Sequence, residues 1–549
     1  MTQRAALADH ILNTGRPPTM APKTMVVSPH ALASEAGVAT LRAGGNAVDA
    51  AIATSAALSV VYPHMTGIGG DAFWLIYDAK HQRVDYLNAA GKASRHASVN
   101  WFGQRGHDDI PMRGILPATL TVPGAVDGWC TAHDKYGRLS LGRALESAIS
   151  LARDGFPVSA RLAAFIEKVA NEGAFNKSAA SLFLPDGQLP KPGQMLLNAC
   201  LAQSLERIAS DGRNGFYAGP TAARLADFAR KQGGFFDEED FASQSANWGQ
   251  PISSTYRGVK IYETPPPTQG FAVLEMLNIL EAYDVASWEC LGPEHVHMLV
   301  QAKQIAYHDR DTLLADPDFS NVPVETLISK AYADKRRTLM SETRALQWDA
   351  VPSYGTLNGD TVYIGVVDDA GNAVSLIHSL YGVFGSGLVA DGTGIVLQNR
   401  SAYFSLDPQH PNRLEAGKRP GHTLIASLAF KDDKLLHVVG CMGADGQPQI
   451  HLQTYVGLID FGLNIQQAIE LPRWLSGRFA IGEPRDLLNI ETRFSEATLN
   501  ELEVCGHVLN RWPHWYELAG HCHGITIDPV SAVRIGGADP RSDGAAIGY

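Results

Sequence analysis

Thr361 offers the most chemistry of any residue in this chain, provided that the peptide bond before it is cut. It stands in the run Gly359-Asp360-Thr361-Val362-Tyr363-Ile364-Gly365-Val366-Val367-Asp368. A threonine hydroxyl attacks a carbonyl poorly until a base removes its proton. An α-amine on the same residue, with a pKa of about 7.7–8.0, can take that proton near neutral pH. Cleavage between Asp360 and Thr361 would create this amine. Threonine also opens many strands for packing reasons alone, so spacing by itself leaves both readings open.

A nucleophile needs a rigid support, and the flanking sequence predicts one. Residues 362–367 form a β-branched run, Asp369-Ala370-Gly371-Asn372 reads as a hairpin turn, and 373–379 reads as the returning strand. Thr361 is thereby placed at the first position of a buried strand. Further strands are expected at 395–398, 424–430 and 435–440, the last two joined by the turn Lys431-Asp432-Asp433-Lys434, and a late hairpin is expected to begin at 524–529. Helices are predicted over 31–41 and 46–61, separated by Gly44-Gly45, through most of 138–235, and over 294–314, 451–461 and 465–471. A glycine-rich loop at 62–71 leads into a strand at 73–77. Strands, then helices, then strands point to a layered α+β arrangement with sheet packed on sheet and helices outside.

The chain has 549 residues, of which 45% are hydrophobic and 19% charged, with 53 glycines and 30 prolines. That composition fits a folded body with many tight turns. A net charge of −12 without any basic run argues against a nucleic-acid partner. The first residues lack an apolar signal core and the longest apolar stretch, 50–62, is too short to span a bilayer, so no secretion signal, no membrane partner and a cytoplasmic location are expected. Cys130, Cys200, Cys290, Cys441, Cys505 and Cys522 show no metal or disulfide spacing and read as reduced thiols. His521-Cys522-His523 lacks a fourth ligand at metal spacing, and the glycine runs at 44–45 and 67–70 lack the strand-GxGxxG-helix context of a nucleotide loop. Neither a metal nor a cofactor is called for.

Blocks along nearly the whole chain resemble the γ-glutamyltransferase family of N-terminal-nucleophile hydrolases. They are Gly44-Gly45-Asn46-Ala47-Val48-Asp49-Ala50, Gly67-Ile68-Gly69-Gly70, Val122-Pro123-Gly124, Pro265-Pro266-Pro267, Asp316-Pro317-Asp318-Phe319, the segment 361–387, Lys418-Arg419-Pro420 and Ala538-Asp539-Pro540-Arg541. The resemblance implies a four-layer αββα sandwich with a helix-rich large-subunit region. It also implies self-cleavage into a large subunit, 1–360, and a small subunit, 361–549, that remain one fold. Ser379 matches the position of a hydroxyl beside the nucleophile. Gly440-Cys441-Met442-Gly443-Ala444-Asp445-Gly446-Gln447 resembles the family's oxyanion loop, with Gly443 and Ala444 as the backbone donors; such donors are worth roughly 2.7–4 kcal/mol each.

Departures from the family pattern bear on the substrate. Members that bind γ-glutamyl groups use a small-subunit acid for the α-ammonium and a large-subunit arginine for the α-carboxylate. Here the corresponding small-subunit positions read Tyr381, Arg400 and Tyr403, the arginine is missing from 86–91, and the serine pair after Lys-Arg-Pro is His422-Thr423. Burying an ammonium without an anion costs several kcal/mol, whereas the planar fork of Arg400 suits a carboxylate. The expected substrate is a small amide carrying a carboxylate and no nearby amine, such as oxamate, glutaryl amides and similar acids, and the chain resembles the oxamate amidohydrolase-like branch. A γ-glutamyltransferase or glutathione hydrolase with an altered pocket, a cephalosporin or glutaryl acylase, and an unprocessed binding homologue are the alternatives. Whether the heterodimer forms a homo-oligomer stays open.

Overall fold

The computed structural model describes residues 15–113, 120–346, 360–477 and 487–549. Two seven-stranded sheets lie face to face, and the chain threads back and forth between them. In strand order the first sheet holds Ala545–Gly548, Met25–Ser28, Asp360–Val367, Ala373–Tyr381, Asp71–Asp78, Arg83–Ala89 and Asn247–Gly249. The second holds Thr19–Ala21, Arg534–Ala538, Cys522–Ile527, Lys434–Cys441, Ser427–Lys431, Val259–Glu263 and Ile252–Tyr256. Each sheet thus mixes strands from before and after residue 360.

Strand alternation produces the layers. On Asp360–Val367, Val362, Ile364 and Val366 point to one side and pack with the helices Ala31–Arg42 and Ala47–Val61. Tyr363 and Val367 point to the other side and meet Leu428, Val438 and Ile525 of the second sheet. Beyond the second sheet the helices Gly270–Leu280, Pro293–Leu313 and Gln447–Ile459 close a further apolar layer. The result is the α+β, four-layer αββα fold of N-terminal-nucleophile hydrolases.

Local sequence explains the main elements. Asn46 caps Ala47–Val61 by accepting from the Val48 and Asp49 amides, and the Asp49 side chain accepts from the Asn46 amide in return. All fifteen residues of this Ala- and Ser-rich helix are buried, which its small side chains permit. The hairpin at Asp369–Asn372 closes as expected: Asp368 accepts from both the backbone and the side-chain amide of Asn372. The expected turn 431–434 is present, with Asp432 and Asp433 at positive φ.

Three expectations need correction. Residues 395–398 are no strand: Val396 and Leu397 make only isolated bridges, to Val389 and Gly69 respectively. Their apolar run reflects burial under the glycine loop rather than ladder pairing. Residues 424–426 are likewise outside the strand that begins at Ser427. The third is an omission: Arg83–Ala89, Ile252–Tyr256 and Val259–Glu263 complete the sheets where no strand was expected. The six cysteines are free thiols, four of them buried. Among the described residues no helix is long and apolar enough to cross a membrane, and no His, Cys, Asp and Glu group could hold a metal.

Candidate active site

Thr361 is buried at the start of its strand, and a register shift singles it out. Asp360 pairs with Tyr381 and Val362 with His378, so Ser379 and Leu380 together face Thr361 across a bulge. The bulge sets two hydroxyls side by side: Thr361 Oγ1 donates to Ser379 Oγ at 3.1 Å. Ser379 Oγ also accepts from the Tyr381 amide at 2.7 Å, which fixes it as an acceptor for the nucleophile's proton. Asp360 enters the description through its backbone alone, and the residues that precede it, 347–359, lie outside the described residues.

Opposite the nucleophile strand, Lys434–Cys441 carries the expected oxyanion loop. A side chain at Gly440 would meet the ring of Tyr363 at 2.2 Å, so only glycine lets the two sheets approach here. Gly443 has φ +145° and Ala444 φ +48°. The second is a left-handed conformation costing a non-glycine residue ~1–3 kcal/mol unless its surroundings enforce it. Buried as they are, the amides of Gly443 and Ala444 donate to no described acceptor. Two adjacent unsatisfied donors are what an oxyanion requires.

Tyr381, Arg400, Tyr403 and Thr423 are joined by direct contacts, and His422 is buried in the same region. Tyr381, at φ +76°, turns its ring beneath Arg400, whose guanidinium carbon lies 4.2 Å from the ring centre. Arg400 is fully buried, yet among the described residues it donates only from Nη1 to Thr423 Oγ1, at 3.2 Å, while Nε and Nη2 have no hydrogen-bond partner there. Burial lowers its pKa from the usual arginine value. Tyr403 packs edge-on against Tyr381 and donates to Asp445 Oδ1 at 3.1 Å. His422 lies against the Phe73 ring with Nε2 at 3.4 Å from Asp71 Oδ2, and among the described residues neither ring nitrogen makes a hydrogen bond of good geometry. Burial first, and then the charge of Arg400, push its pKa down to about 4, so the ring is neutral.

The sequence reading missed Asp445, Gln269 and Arg310. Asp445 is buried, its Oδ1 held by Arg310 at 2.9 Å and by Tyr403, its Oδ2 without a partner. The pocket therefore does contain an acid, contrary to the expectation of none. It follows Ala444 directly in the expected oxyanion loop, which was the available signal. Gln269, two residues beyond the Pro265-Pro266-Pro267 block, donates through Nε2 to the carbonyls of Thr423 and Ala444.

The family described as Gamma-glutamyltranspeptidase matches residues 33–549. The glutathione hydrolase-like YwrD proenzyme of Bacillus subtilis (strain 168) is 42% identical over 527 residues, covering 96% of this chain and 98% of that protein. The oxamate amidohydrolase proenzyme of Klebsiella pneumoniae is 38% identical over 534 residues, covering 96% and 98%. Among solved structures, a cephalosporin acylase from Bacillus halodurans superposes with a TM-score of 0.90 at 35% identity, covering 98% of this chain and 97% of its own.

Proposed function

Because the chain belongs to the Gamma-glutamyltranspeptidase family, we propose that it is a proenzyme that cuts itself between Asp360 and Thr361 into fragments 1–360 and 361–549. Thr361 Oγ attacks the Asp360 carbonyl, and the peptide nitrogen leaves as the new α-amine of Thr361. Water then opens the resulting ester. In the mature enzyme the α-amine takes the hydroxyl proton as Thr361 Oγ attacks a substrate amide, and passes it to the departing amine. The oxyanion is met by the amides of Gly443 and Ala444. Ser379 keeps the hydroxyl aligned in both steps. Water opens the acyl-threonine, so the reaction is hydrolysis; the two fragments, a small-molecule amide and water are its only participants.

Arg400 carries the substrate assignment. A buried guanidinium with two donors that have no hydrogen-bond partner among the described residues, and with Asp71 and Asp445 acting on it without bonding to it, can take an anion from outside. The acyl group therefore bears a carboxylate. Arg400 stacks on Tyr381, whose amide binds Ser379, so an aromatic residue stands between the cation and the nucleophile. That spacing favours an acid with several intervening carbons, glutaryl or γ-glutamyl, over oxamate, in which carboxylate and scissile carbonyl adjoin. Asp445 supports a second reading within this class: its unpartnered Oδ2 can accept from an α-ammonium, making the acyl group γ-glutamyl.

Purified protein tested in parallel on a glutaryl amide, glutathione and oxamate decides among these. The expected order places the glutaryl amide first. Faster turnover of glutathione selects the second reading, and preference for oxamate overturns the spacing argument. On a denaturing gel, two fragments are expected, the smaller beginning at Thr361, against a single band for Thr361→Ala. One uncut band for the wild type would favour a non-catalytic binding role.

A further inference from the structure

Acid recognition and the oxyanion hole share one side-chain amide. Gln269 is fully buried, and its Nε2 donates to the Thr423 carbonyl at 2.8 Å and to the Ala444 carbonyl at 3.1 Å. Its Oε1 accepts from Arg310 Nη1 at 2.8 Å. Arg310 Nη1 also lies 2.9 Å from Asp445 Oδ1, and Tyr307, one turn earlier on the same helix, donates to the Asp445 carbonyl. The helix Pro293–Leu313 and Gln269 therefore grip consecutive peptides of the oxyanion loop. At the other end of the chain of contacts, the Thr423 hydroxyl accepts a hydrogen bond from Arg400.

We propose that Gln269 and Arg310 are positioning residues that transmit capture of the acyl carboxylate by Arg400 to the oxyanion donors Gly443 and Ala444. This rests on the reading of Arg400 as the carboxylate site. A carboxylate that takes Nε and Nη2 orients the guanidinium and with it the 3.2 Å contact to Thr423. Thr423 and Ala444 are tied to the same nitrogen, so seating the first constrains the second. Ala444 is in a left-handed conformation that its own backbone does not favour, so its amide points correctly only while its carbonyl and its neighbour Asp445 are held. An acidic substrate thus aligns the hole that a neutral one of equal length leaves loose, and the advantage enters kcat as well as KM.

The test compares a glutaryl amide with its methyl ester in wild type, Gln269→Met and Thr423→Val, all verified as cut at Thr361 and folded by thermal melt. In wild type the acid is expected to exceed the ester by ~10-fold or more in kcat, beyond its advantage in KM. In both variants the kcat ratio is expected to fall to within ~3-fold while acid preference in KM persists, because Arg400 is intact. Should Gln269→Met fail to mature, Arg310→Lys takes its place. Equal kcat losses on acid and ester, with the ratio unchanged, would mean a merely structural brace and overturn the coupling. A wild-type preference confined to KM would also overturn it. No preference for the acid in either constant would remove the Arg400 reading itself, a result distinct from the other two.

Discussion

Two groups of buried arginines sit in the same sandwich and are treated in opposite ways. Arg541 gives two hydrogen bonds to Glu491, at 2.7 and 2.6 Å, and further ones to Asp539, while Arg473 binds Asp539 and the carbonyls of Ile469, Ala519 and Gly520. Every charge there has its counter-charge within the fold. Arg400 is equally buried but touches a hydroxyl and an aromatic face, with no carboxylate bonded to it. Burial is common to both; what differs is whether the protein supplies the anion. The first cluster is structural and the second is an incomplete pair waiting for its other half.

The contrast is broken most forcefully at Arg541. Arg541→Ala takes one of two arginine partners from each of Glu491 and Asp539, leaving Arg493 and Arg473, and a loss of ~3 kcal/mol in urea unfolding is expected. Arg400→Met removes a charge to which no described carboxylate is bonded, so the loss of stability should be well below that of Arg541→Ala, while kcat/KM for a glutaryl amide drops by about two orders of magnitude and that for its methyl ester barely moves. Loss of stability in Arg400→Met comparable to that in Arg541→Ala would erase the distinction.

Protonation sharpens it next. The depressed pKa of His422, about 4 against 6.5 unfolded, means that the unfolded chain binds the extra proton. Stability therefore declines as pH falls from about 6.5 toward 4. His422→Asn should escape ~1–2 kcal/mol of that decline by pH 4.5, read as melting temperature against pH for both proteins. At Asp539, burial alone would raise the carboxyl, but Arg541 and Arg473 hold it far below its ordinary value. Its stabilisation is present above about pH 3.9 and goes only in stronger acid. The smallest effect is expected from Thr423→Val, which removes one neutral acceptor from Arg400 and should cost ~1 kcal/mol or less in stability.

Much of this was legible in the sequence, for physical reasons. The strand Asp360–Val367 announces itself by alternation and by a local hairpin turn, whereas Ser379 was singled out only by its match to a position of the family. Gly443 and Ala444 stand in a glycine-rich stretch that needs unusual backbone angles. Gln269 and Arg310 carry no such mark. Arg310 lies inside the helix Pro293–Leu313 and Gln269 precedes the helix Gly270–Leu280, and the role of each arises from contacts to residues more than a hundred positions away. The apolar run 395–398 misled because burial and β pairing leave the same composition, and only the second sheet's edge reveals Val259–Glu263 and Ile252–Tyr256 as strands. Asp445 was visible within the expected oxyanion loop but was given no role of its own, since nothing local indicates that Tyr403 and Arg310 reach it.

The interleaving of the sheets has a bearing on what a cut at Thr361 can do. Met25–Ser28 lies between Ala545–Gly548 and Asp360–Val367, and Asp71–Asp78 pairs with Ala373–Tyr381, while Val259–Glu263 pairs with Ser427–Lys431. A severed chain would be woven through itself like a braid, and neither fragment could withdraw without unzipping ladders in both sheets. Maturation would then behave as a ratchet: once cut, partners cannot be traded between molecules, and each active centre ages with the two strands of chain that made it.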